Sequence, residues 1–341
     1  MSEKSHQVSV IVPVFNAGTA LQDCVKAIVA SDFKPHEVIL VDDCSTDSKT
    51  IFLLDSLQKE FSRLVKVVKL KKNSGPGVAR NSGAAAANGD LLFFCDADTR
   101  LDKKALGIFV KTIDTGVDAV CGVYSPNPLN PGFTEGYKAA FDHYNFSKRG
   151  VVPYNTFSAY CAGVSAQAYR QVGGFNESLT AKMEYENEEF GRRLSEHYKM
   201  VINPEIVTEH HFPGFTALTK TYFYRVALWV GLFLSGKGFD DAGDSTSGTG
   251  FATLAALGAL VLALLVPCLG VFGSLTSTLL IVIWLVGYLG FFSYVSNAFP
   301  SRLAIYIALN YYFSVVIGMG AIWGLFRYAT SAQFRRQFKR G

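Results

Sequence analysis

The chain has 341 residues, long enough for two domains, and 49% of them are hydrophobic. Its formal net charge is +4, from 32 basic and 28 acidic residues. This excess comes from residues 251–341, which contain six Lys or Arg and no Asp or Glu, so it does not indicate nucleic-acid binding. The six cysteines show no paired or metal-ligand spacing and are expected to be reduced structural thiols.

The first half of the chain alternates short apolar runs with helical segments. Strands are expected at VSVIVPV (8–14), HEVILVDD (36–43), VKVVKL (65–70) and DLLFFCD (90–96). These runs are continuously apolar, which is typical of strands covered on both faces. The pattern predicts an α/β fold with a mostly parallel sheet and helices on both faces. Further along, a helix is expected over 186–197 and an extended segment over 199–212.

The second half predicts a membrane region. Three uncharged stretches, 251–272, 275–296 and 303–326, each exceed the ~18–20 residues that a helix needs to cross a bilayer. The aromatic stretch 219–236 is expected to lie flat at the membrane interface. The N-terminus is polar and has no signal-peptide pattern, so the first half is expected in the cytosol of a multi-pass protein of the cell membrane. The expected organisation is an α/β domain (1–215), an amphipathic interfacial segment and linker (216–250), about three transmembrane helices (251–330) and a basic tail (331–341).

Polar residues follow three of the predicted strands at their carboxyl ends. Asn16 follows the first strand, Asp42 and Asp43 follow the second, and Asp96 and Asp98 follow the fourth. Ligands of open α/β sheets bind beyond this edge, so we expect these side chains to share one site.

Asp96 and Asp98 form a D-x-D motif at the end of an apolar strand. Two carboxylates so close need a positive partner, either a basic side chain or a metal ion. A hard divalent ion such as magnesium or manganese suits these ligands and would neutralise a phosphate-bearing substrate. The alternative is structural: Asp98 caps a helix that starts near Leu101, and Asp96 closes a turn.

Two loops are ambiguous when taken alone. In VDDCSTD (41–47), the aspartates are either turn and cap residues or acceptors of hydrogen bonds from a nucleoside. In NSGPGVARNSG (73–83), the glycines allow close backbone approach and Arg80 could face a phosphate. The second loop lacks the G-K-[ST] of a phosphate-binding loop.

In combination, these motifs resemble the family 2 glycosyltransferases with the Rossmann-like GT-A fold. The resemblance is strong over about residues 7–125 and looser to about residue 212. It implies a nucleotide-sugar donor whose base is held by Pro13, Phe15, Asn16 and Asp43, with Asp42 beside it. It also implies that Asp96 and Asp98 bind the ribose and a divalent metal on the diphosphate. Arg80 matches the arginine of the family's G-P-x-x-A-R-N segment.

One position departs from the family pattern. The family's general base is an aspartate after a glutamate, and here Asn187 follows Glu186. An amide cannot accept the acceptor's proton, so either Glu186 or Glu188 replaces the base or the acceptor is a phosphate that needs none. A purely structural interpretation is a charged, solvent-facing helix with a Glu189–Arg193 pair.

A late histidine is the last candidate that the resemblance supplies. GT-A enzymes often place such a residue near the diphosphate or metal. His211 is assigned to the metal here, and His210 is an equal alternative.

The expected function is therefore that of a membrane-bound inverting glycosyltransferase of cell-envelope glycan biosynthesis. It would move a sugar from a nucleotide-diphosphate sugar to a lipid-linked acceptor, first of all a polyprenyl phosphate. The alternatives are a hydroxyl of a lipid or lipid-linked saccharide, or an inactive membrane scaffold with the same fold. A solute channel is disfavoured because the apolar stretches carry no charged residues to line a path.

Overall fold

The computed structural model describes residues 6–178, 186–234 and 247–336. The chain forms two compact units. The α/β unit comprises Met1–Leu129 and Phe146–His211, and the helical unit comprises Asn130–Asn145 and Phe212–Gly341. Residues 130–145 thus group with the helical unit, although they lie inside the stretch 1–215 that the sequence assigned to one domain.

Nine strands of the described residues form a single sheet in the order β3-β2-β1-β4-β8-β6-β9-β5, with β7 beside β9. The strands are β1 (Val8–Val14), β2 (Glu37–Asp42), β3 (Val65–Lys69), β4 (Leu91–Cys95), β5 (Thr99–Leu101), β6 (Ala119–Tyr124), β7 (Val152–Pro153), β8 (Cys161–Ser165) and β9 (Met200–His210). The first four in this order, and the β6–β9 pair, are parallel. β8, β5 and β7 run antiparallel to their neighbours. The predicted α/β fold with a mostly parallel sheet is confirmed, and the antiparallel additions complete its second half.

Helices cover both faces of the parallel strands. They are α1 (Ala20–Val29), α2 (Ser48–Glu60), α3 (Pro76–Ala86) and α4 (Ala105–Ile113). Later in the chain, α6 (Ala166–Val172) and α7 (Glu186–Ser195) belong to the same unit, whereas most of α5 (Phe133–Ser147) belongs to the helical unit. α3 lies especially close to the sheet, because a Cβ on Gly83 would be 2.4 Å from the Cγ2 atom of Ile11. A larger residue there would push α3 off the sheet.

The helical unit contains α8 (Phe215–Leu232), α9 (Ser247–Leu264), α10 (Val266–Gly287), α11 (Leu289–Ala298), a 3₁₀ turn (Pro300–Arg302), α12 (Leu303–Thr330) and α13 (Ala332–Arg336). The predicted stretch 251–272 is divided, since α9 ends at Leu264 and Pro267 lies in the first turn of α10. Proline lacks the N–H that a continuing helix requires and is favoured in a first turn.

Two helical segments of the described chain are long and apolar enough to cross a membrane. They are Val266–Gly287, with a mean hydropathy of 2.2, and Pro300–Thr330, with a mean hydropathy of 1.6; Thr249–Leu264 is a shorter apolar helix. The predicted interfacial segment and basic tail fall partly on 235–246 and 337–341, outside the described residues.

Helix α8, where the sequence predicts a flat interfacial segment, packs closely against α12. A Cβ on Gly320 would lie 2.5 Å from the carbonyl oxygen of Phe223, and one on Gly324 would lie 2.7 Å from that of Ala227. Small residues allow this approach of two helix backbones, as they do in membrane helix pairs.

Candidate functional site

The loop after β1 is tied to the loop after β2 by Asn16. Its side-chain Oδ1 accepts hydrogen bonds from the N–H groups of Thr46 (2.8 Å) and Asp47 (2.9 Å). Asn16 itself adopts a positive φ of 49°, which Asn tolerates better than most residues. Pro13 lies within β1, and the Phe15 side chain is half exposed at the edge. These residues form a ledge at the carboxyl ends of β1 and β2.

The two aspartates after β2 have different contacts. Asp42 accepts a hydrogen bond from the Ser45 N–H (2.9 Å), as a turn residue does. Asp43 is buried, and its two carboxylate oxygens accept from the N–H groups of Ser74 (2.7 Å) and Gly75 (2.8 Å). Gly75 is the N-cap of α3, so Asp43 fixes the point at which α3 begins.

The D-x-D motif follows β4 directly and leads into another strand. Thr99 is the first residue of β5, which pairs with β9, and α4 starts only at Ala105. The structural alternative, in which Asp98 caps a helix near Leu101, is therefore wrong, because the residues after the motif form a β-strand. Asp96 does close a turn, since its carbonyl oxygen accepts from the N–H (3.2 Å) and Oγ1 (2.8 Å) of Thr99.

The positive partner of Asp96 is Arg80. The guanidinium donates from Nη2 to Asp96 Oδ1 (3.0 Å) and from Nη1 to Glu186 Oε1 (2.7 Å). It also lies over the Phe175 ring, 5.4 Å from the centroid, and the whole residue is only 4% exposed. The structure brings Arg80, Asp96 and Glu186 into one partly buried cluster, although their sequence positions are far apart.

The second aspartate of the motif contacts a histidine. His210 Nε2 lies 3.4 Å from Asp98 Oδ2, because His210 is opposite Thr99 in the β5–β9 pair. Burial raises the pKa of Asp98, but the hydrogen bond with His210 and the charges of His210 and His211 outweigh it and hold the pKa below its ordinary value. Asp98 is thus poised to remain a carboxylate.

His211 and Asp98 line the same small cleft of about 130 Å³. Its other lining residues are Ala20, Asp23, Thr99, Arg100 and Leu129. The described residues contain no ready-made group of three metal-binding side chains. The donor types nevertheless fit a divalent ion, since the half-exposed carboxylate of Asp98 lies beside the His210 imidazole and shares the cleft with His211.

Helix α7 carries the position at which the sequence departs from the family pattern. The backbone carbonyl of Asn187 accepts from the Phe157 N–H (3.1 Å), which fixes the residue beside the sheet. Its side-chain Oδ1 is buried and has no hydrogen-bond partner within the described residues. Glu188 follows it on the first turn of α7. An amide at this position can bind and orient a ligand but cannot take up a proton.

The expected Glu189–Arg193 pair is present on α7. Arg193 Nε and Nη2 contact the two Glu189 oxygens at 2.6 and 2.7 Å. The same guanidinium donates to the carbonyls of Val172, the last residue of α6, and of Gly174 (both 2.7 Å). This pair therefore joins α7 to the end of α6.

Sequence reasoning missed Asn81, which supports the site from behind. Its Oδ1 accepts from the Tyr169 hydroxyl (2.6 Å) and the Phe175 N–H (2.9 Å), and its Nδ2 donates to the Phe175 carbonyl (2.8 Å). Asn81 thereby holds the ring on which Arg80 rests. Its place directly after Arg80 in the A-R-N segment was the available signal. Asp23 and Arg100 of the cleft were also missed, and no motif marked them.

Comparisons with known proteins give a consistent family and fold. Residues 9–173 match the family model described as glycosyl transferase family 2. A GalNAc(5)-diNAcBac-PP-undecaprenol beta-1,3-glucosyltransferase of Campylobacter jejuni is 34% identical over 116 residues, which cover 34% of this chain and 37% of that protein. An undecaprenyl-phosphate 4-deoxy-4-formamido-L-arabinose transferase of Edwardsiella ictaluri is 34% identical over 116 residues, covering 33% of this chain and 35% of that one. The chain thus matches little more than a third of the length of these curated relatives.

A solved structure extends the similarity of the fold to most of the chain. The mannosyltransferase PcManGT from Pyrobaculum calidifontis, in complex with GDP-Man and Mn²⁺, has a TM-score of 0.58 and 17% sequence identity. The match covers 97% of this chain and 89% of that one. Together with the match of residues 9–173 to the family 2 model, this confirms the GT-A fold that the sequence predicted and the similarity of that segment to the family 2 glycosyltransferases.

Proposed function

We propose that the protein is a membrane-bound inverting glycosyltransferase. It transfers a sugar from a nucleotide-diphosphate sugar to a polyprenyl phosphate at the cytosolic face of the membrane. The observation that carries the choice of acceptor is Asn187, an amide with a buried, unpartnered side-chain oxygen at the position where the family has its proton acceptor.

The donor half of the proposal rests on the carboxyl edge of the sheet. The ledge around Asn16 and Asp43 would receive the nucleoside, and Asp96 would contact the ribose. Asp96, Asp98 and His211 would hold magnesium or manganese, which when bound offsets the charge of the diphosphate leaving group. The complex of the similar mannosyltransferase with GDP-Man and Mn²⁺ supports this choice of ligands.

The acceptor half rests on charge. A phosphate oxygen is already an anion, so it can attack the anomeric carbon while the bond to the diphosphate breaks, without losing a proton first. A carboxylate in its path would repel it, whereas the neutral amide of Asn187 can donate a hydrogen bond to it. Loss of the base is thus compatible with activity if the nucleophile is a phosphate.

The proposed membrane location rests on the apolar surface of the helical unit. Within the described residues, α10 exposes large apolar side chains, among them Val271 (74%), Phe272 (73%) and Leu275 (67%). Such a surface is unfavourable in water and suits the hydrocarbon core of a bilayer. Two relatives are named for undecaprenol-linked substrates, which supports a long-chain lipid as acceptor.

The test is a direct search for the product. Membranes from cells that overproduce the chain are given a panel of sugar nucleotides with Mn²⁺, and their lipids are analysed by mass spectrometry. We expect one polyprenyl phosphate to gain a single sugar, and no gain with an Asp98→Ala control. Transfer only to a lipid alcohol would overturn the phosphate assignment.

A second candidate acceptor is a hydroxyl of a lipid-linked saccharide. The name of the Campylobacter relative describes such an acceptor, and Glu188, next to Asn187, could serve as the base. The lipid-alcohol and lipid-saccharide arms of the same assay distinguish this case.

A further inference from the structure

In the partly buried cluster of Arg80, Asp96 and Glu186, the contacts do not match the roles that the sequence suggested for Arg80 and Glu186. Arg80 was expected to face a phosphate, and Glu186 was a candidate base. Instead, the guanidinium lies between the two carboxylates, 3.0 Å from Asp96 Oδ1 and 2.7 Å from Glu186 Oε1. Arg80 is 4% exposed, and the Glu186 side chain is 15% exposed. Both Nη atoms of Arg80 and one oxygen of each carboxylate are engaged in this contact.

The fold holds Arg80 in this position from two sides. Asp43 anchors the start of α3 through the N–H groups of Ser74 and Gly75, the two residues that directly precede the helix carrying Arg80. The Phe175 ring lies under the guanidinium and is fixed in turn by Asn81. A planar guanidinium so placed can bind two carboxylates at once, which a lysine cannot do with the same geometry.

The ion pairs of Arg80 with Asp96 and Glu186, called the Arg80 bridge here, connect the donor side and the acceptor side of the proposed site. Asp96 directly follows β4 on the donor side, and its side chain remains one-third exposed. Glu186 is the first residue of α7 and directly precedes Asn187 on the acceptor side. Because Arg80 binds Oδ1 of Asp96, the other oxygen is left for a ligand.

The charge balance of the bridge has a further consequence. With both carboxylates present, the single positive charge of Arg80 is shared, and Asp96 keeps its attraction for a cation. Without the Glu186 charge, Arg80 would be neutralised by Asp96 alone and would draw that carboxylate away from a ligand.

Building on the proposed function, we infer that Arg80 and Glu186 are positioning residues, in which Glu186 acts through Arg80 to set the orientation and charge of Asp96. Glu186 is then not the base, and Arg80 is not a phosphate ligand. The loss of Glu186 must therefore affect Mn²⁺-dependent binding of a nucleotide, and it must do so only while Arg80 is present.

Helix α7 supplies a matched control. Glu189 also pairs with an arginine, Arg193, through two contacts of 2.6 and 2.7 Å, but this arginine binds carbonyls after α6 rather than the D-x-D motif. Glu189→Gln removes the same charge from the same helix without touching Asp96.

The experiment measures nucleotide binding by the full chain in detergent, by calorimetry with UDP and GDP, with and without Mn²⁺. The variants are Glu186→Gln, Arg80→Met, both together, and Glu189→Gln. We expect Glu186→Gln to raise the Kd for the nucleotide in the presence of Mn²⁺ about tenfold when Arg80 is present. In the Arg80→Met background, we expect the same change to raise this Kd less than about twofold. The difference is a coupling of the usual size for contacting residues. We expect Glu189→Gln to lower the melting temperature and leave Kd within about twofold. Should Arg80→Met fail to fold, Arg80→Lys takes its place with a weakened coupling.

Three outcomes would overturn the inference. One is an equal effect of Glu186→Gln in both backgrounds, and another is equal weakening of binding by Glu189→Gln. The third is a loss of sugar transfer in Glu186→Gln with an unchanged Kd, which would make Glu186 the base. A wild-type chain that binds nucleotide but glycosylates no lipid would contradict the proposed function. The binding data would still decide whether Glu186 acts through Arg80, because they do not depend on sugar transfer.

Discussion

His210 Nε2 lies 3.4 Å from Asp98 Oδ2, so the second aspartate of the D-x-D motif and the end of β9 meet at one point of the sheet edge. The contact follows from strand pairing, because β5 begins at Thr99 and places it opposite His210. A carboxylate that is half exposed yet held by an imidazole is well suited to bind a divalent ion.

Asp98→Ala is expected to reduce sugar transfer by at least about 100-fold, because charge stabilisation at the diphosphate is lost. Asp96→Ala is expected to be nearly as damaging. The measurement is a transfer assay with manganese, with circular dichroism to verify folding. Asp102→Ala removes a nearby carboxylate that bonds only the Lys104 N–H (2.8 Å) among its described contacts, and should retain activity. Substantial activity of the Asp98 variant would refute the metal role.

Asp43→Ala is expected to raise the KM of the donor more than it lowers turnover, since a contact to the base is largely uniform binding. It should also lower the free energy of unfolding by about 1–3 kcal/mol, because the Ser74 and Gly75 N–H groups lose their buried acceptors. Steady-state kinetics and urea unfolding measure the two effects.

Asp47→Ala is the control for this prediction. Asp47 caps α2 by accepting from the Thr50 N–H (2.9 Å), so its loss should lower the stability of the protein and leave donor KM unchanged. If Asp43→Ala changes stability alone, Asp43 only anchors α3.

Asn187→Asp is expected to leave transfer to a polyprenyl phosphate unchanged or slower, because a new carboxylate repels the anion. With a lipid alcohol as acceptor, the same change could supply a general base, which typically raises the rate of such a reaction about 10²–10⁴-fold. Glu188→Gln should have little effect if no base is needed, whereas Glu186→Gln should act through donor binding. Transfer to the alcohol alone, with a large loss of turnover in Glu188→Gln, would contradict the phosphate assignment.

The N-terminal end of the sheet offers a pH-dependent prediction away from the site. Asp90 accepts from the Gln7 N–H (2.6 Å) and contacts His6 Nδ1 (2.6 Å). Burial raises the pKa of Asp90, but these two hydrogen bonds and the His6 charge hold it below the ordinary value of 3.8. Because the pKa is lower in the folded protein, the stability that Asp90 contributes is present above pH 3.8 and is lost as pH falls through the lowered value.

Asp90→Asn is therefore expected to lower the melting temperature at pH 7, with a difference from wild type that narrows below pH 3.8. Thermal unfolding from pH 7 to acid measures it. Asp55→Asn, which removes an exposed pair with Lys69 (3.3 Å), should change stability by less than about 0.5 kcal/mol at any pH. A difference for Asp90→Asn that stays constant into acid would contradict the prediction.

The amino-acid sequence by itself determined the strands of the first half, the edge at which the functional residues lie and the family. These features are local: continuous apolar runs predict buried strands, and parallel strands place their carboxyl ends at one edge. The D-x-D motif and the departure of Asn187 from the family pattern were also readable, since each is a short pattern of residue types.

Only the tertiary structure decided the partners of those residues. Arg80 lies 106 positions from Glu186 and 16 from Asp96, and no local rule pairs them. Strand pairing placed His210 beside Asp98 and removed the expected helix cap, while Pro267 shortened the first apolar helix. Long-range hydrogen bonds and packing depend on how the whole chain closes, so the sequence showed which chemistry was available and the fold determined which groups meet.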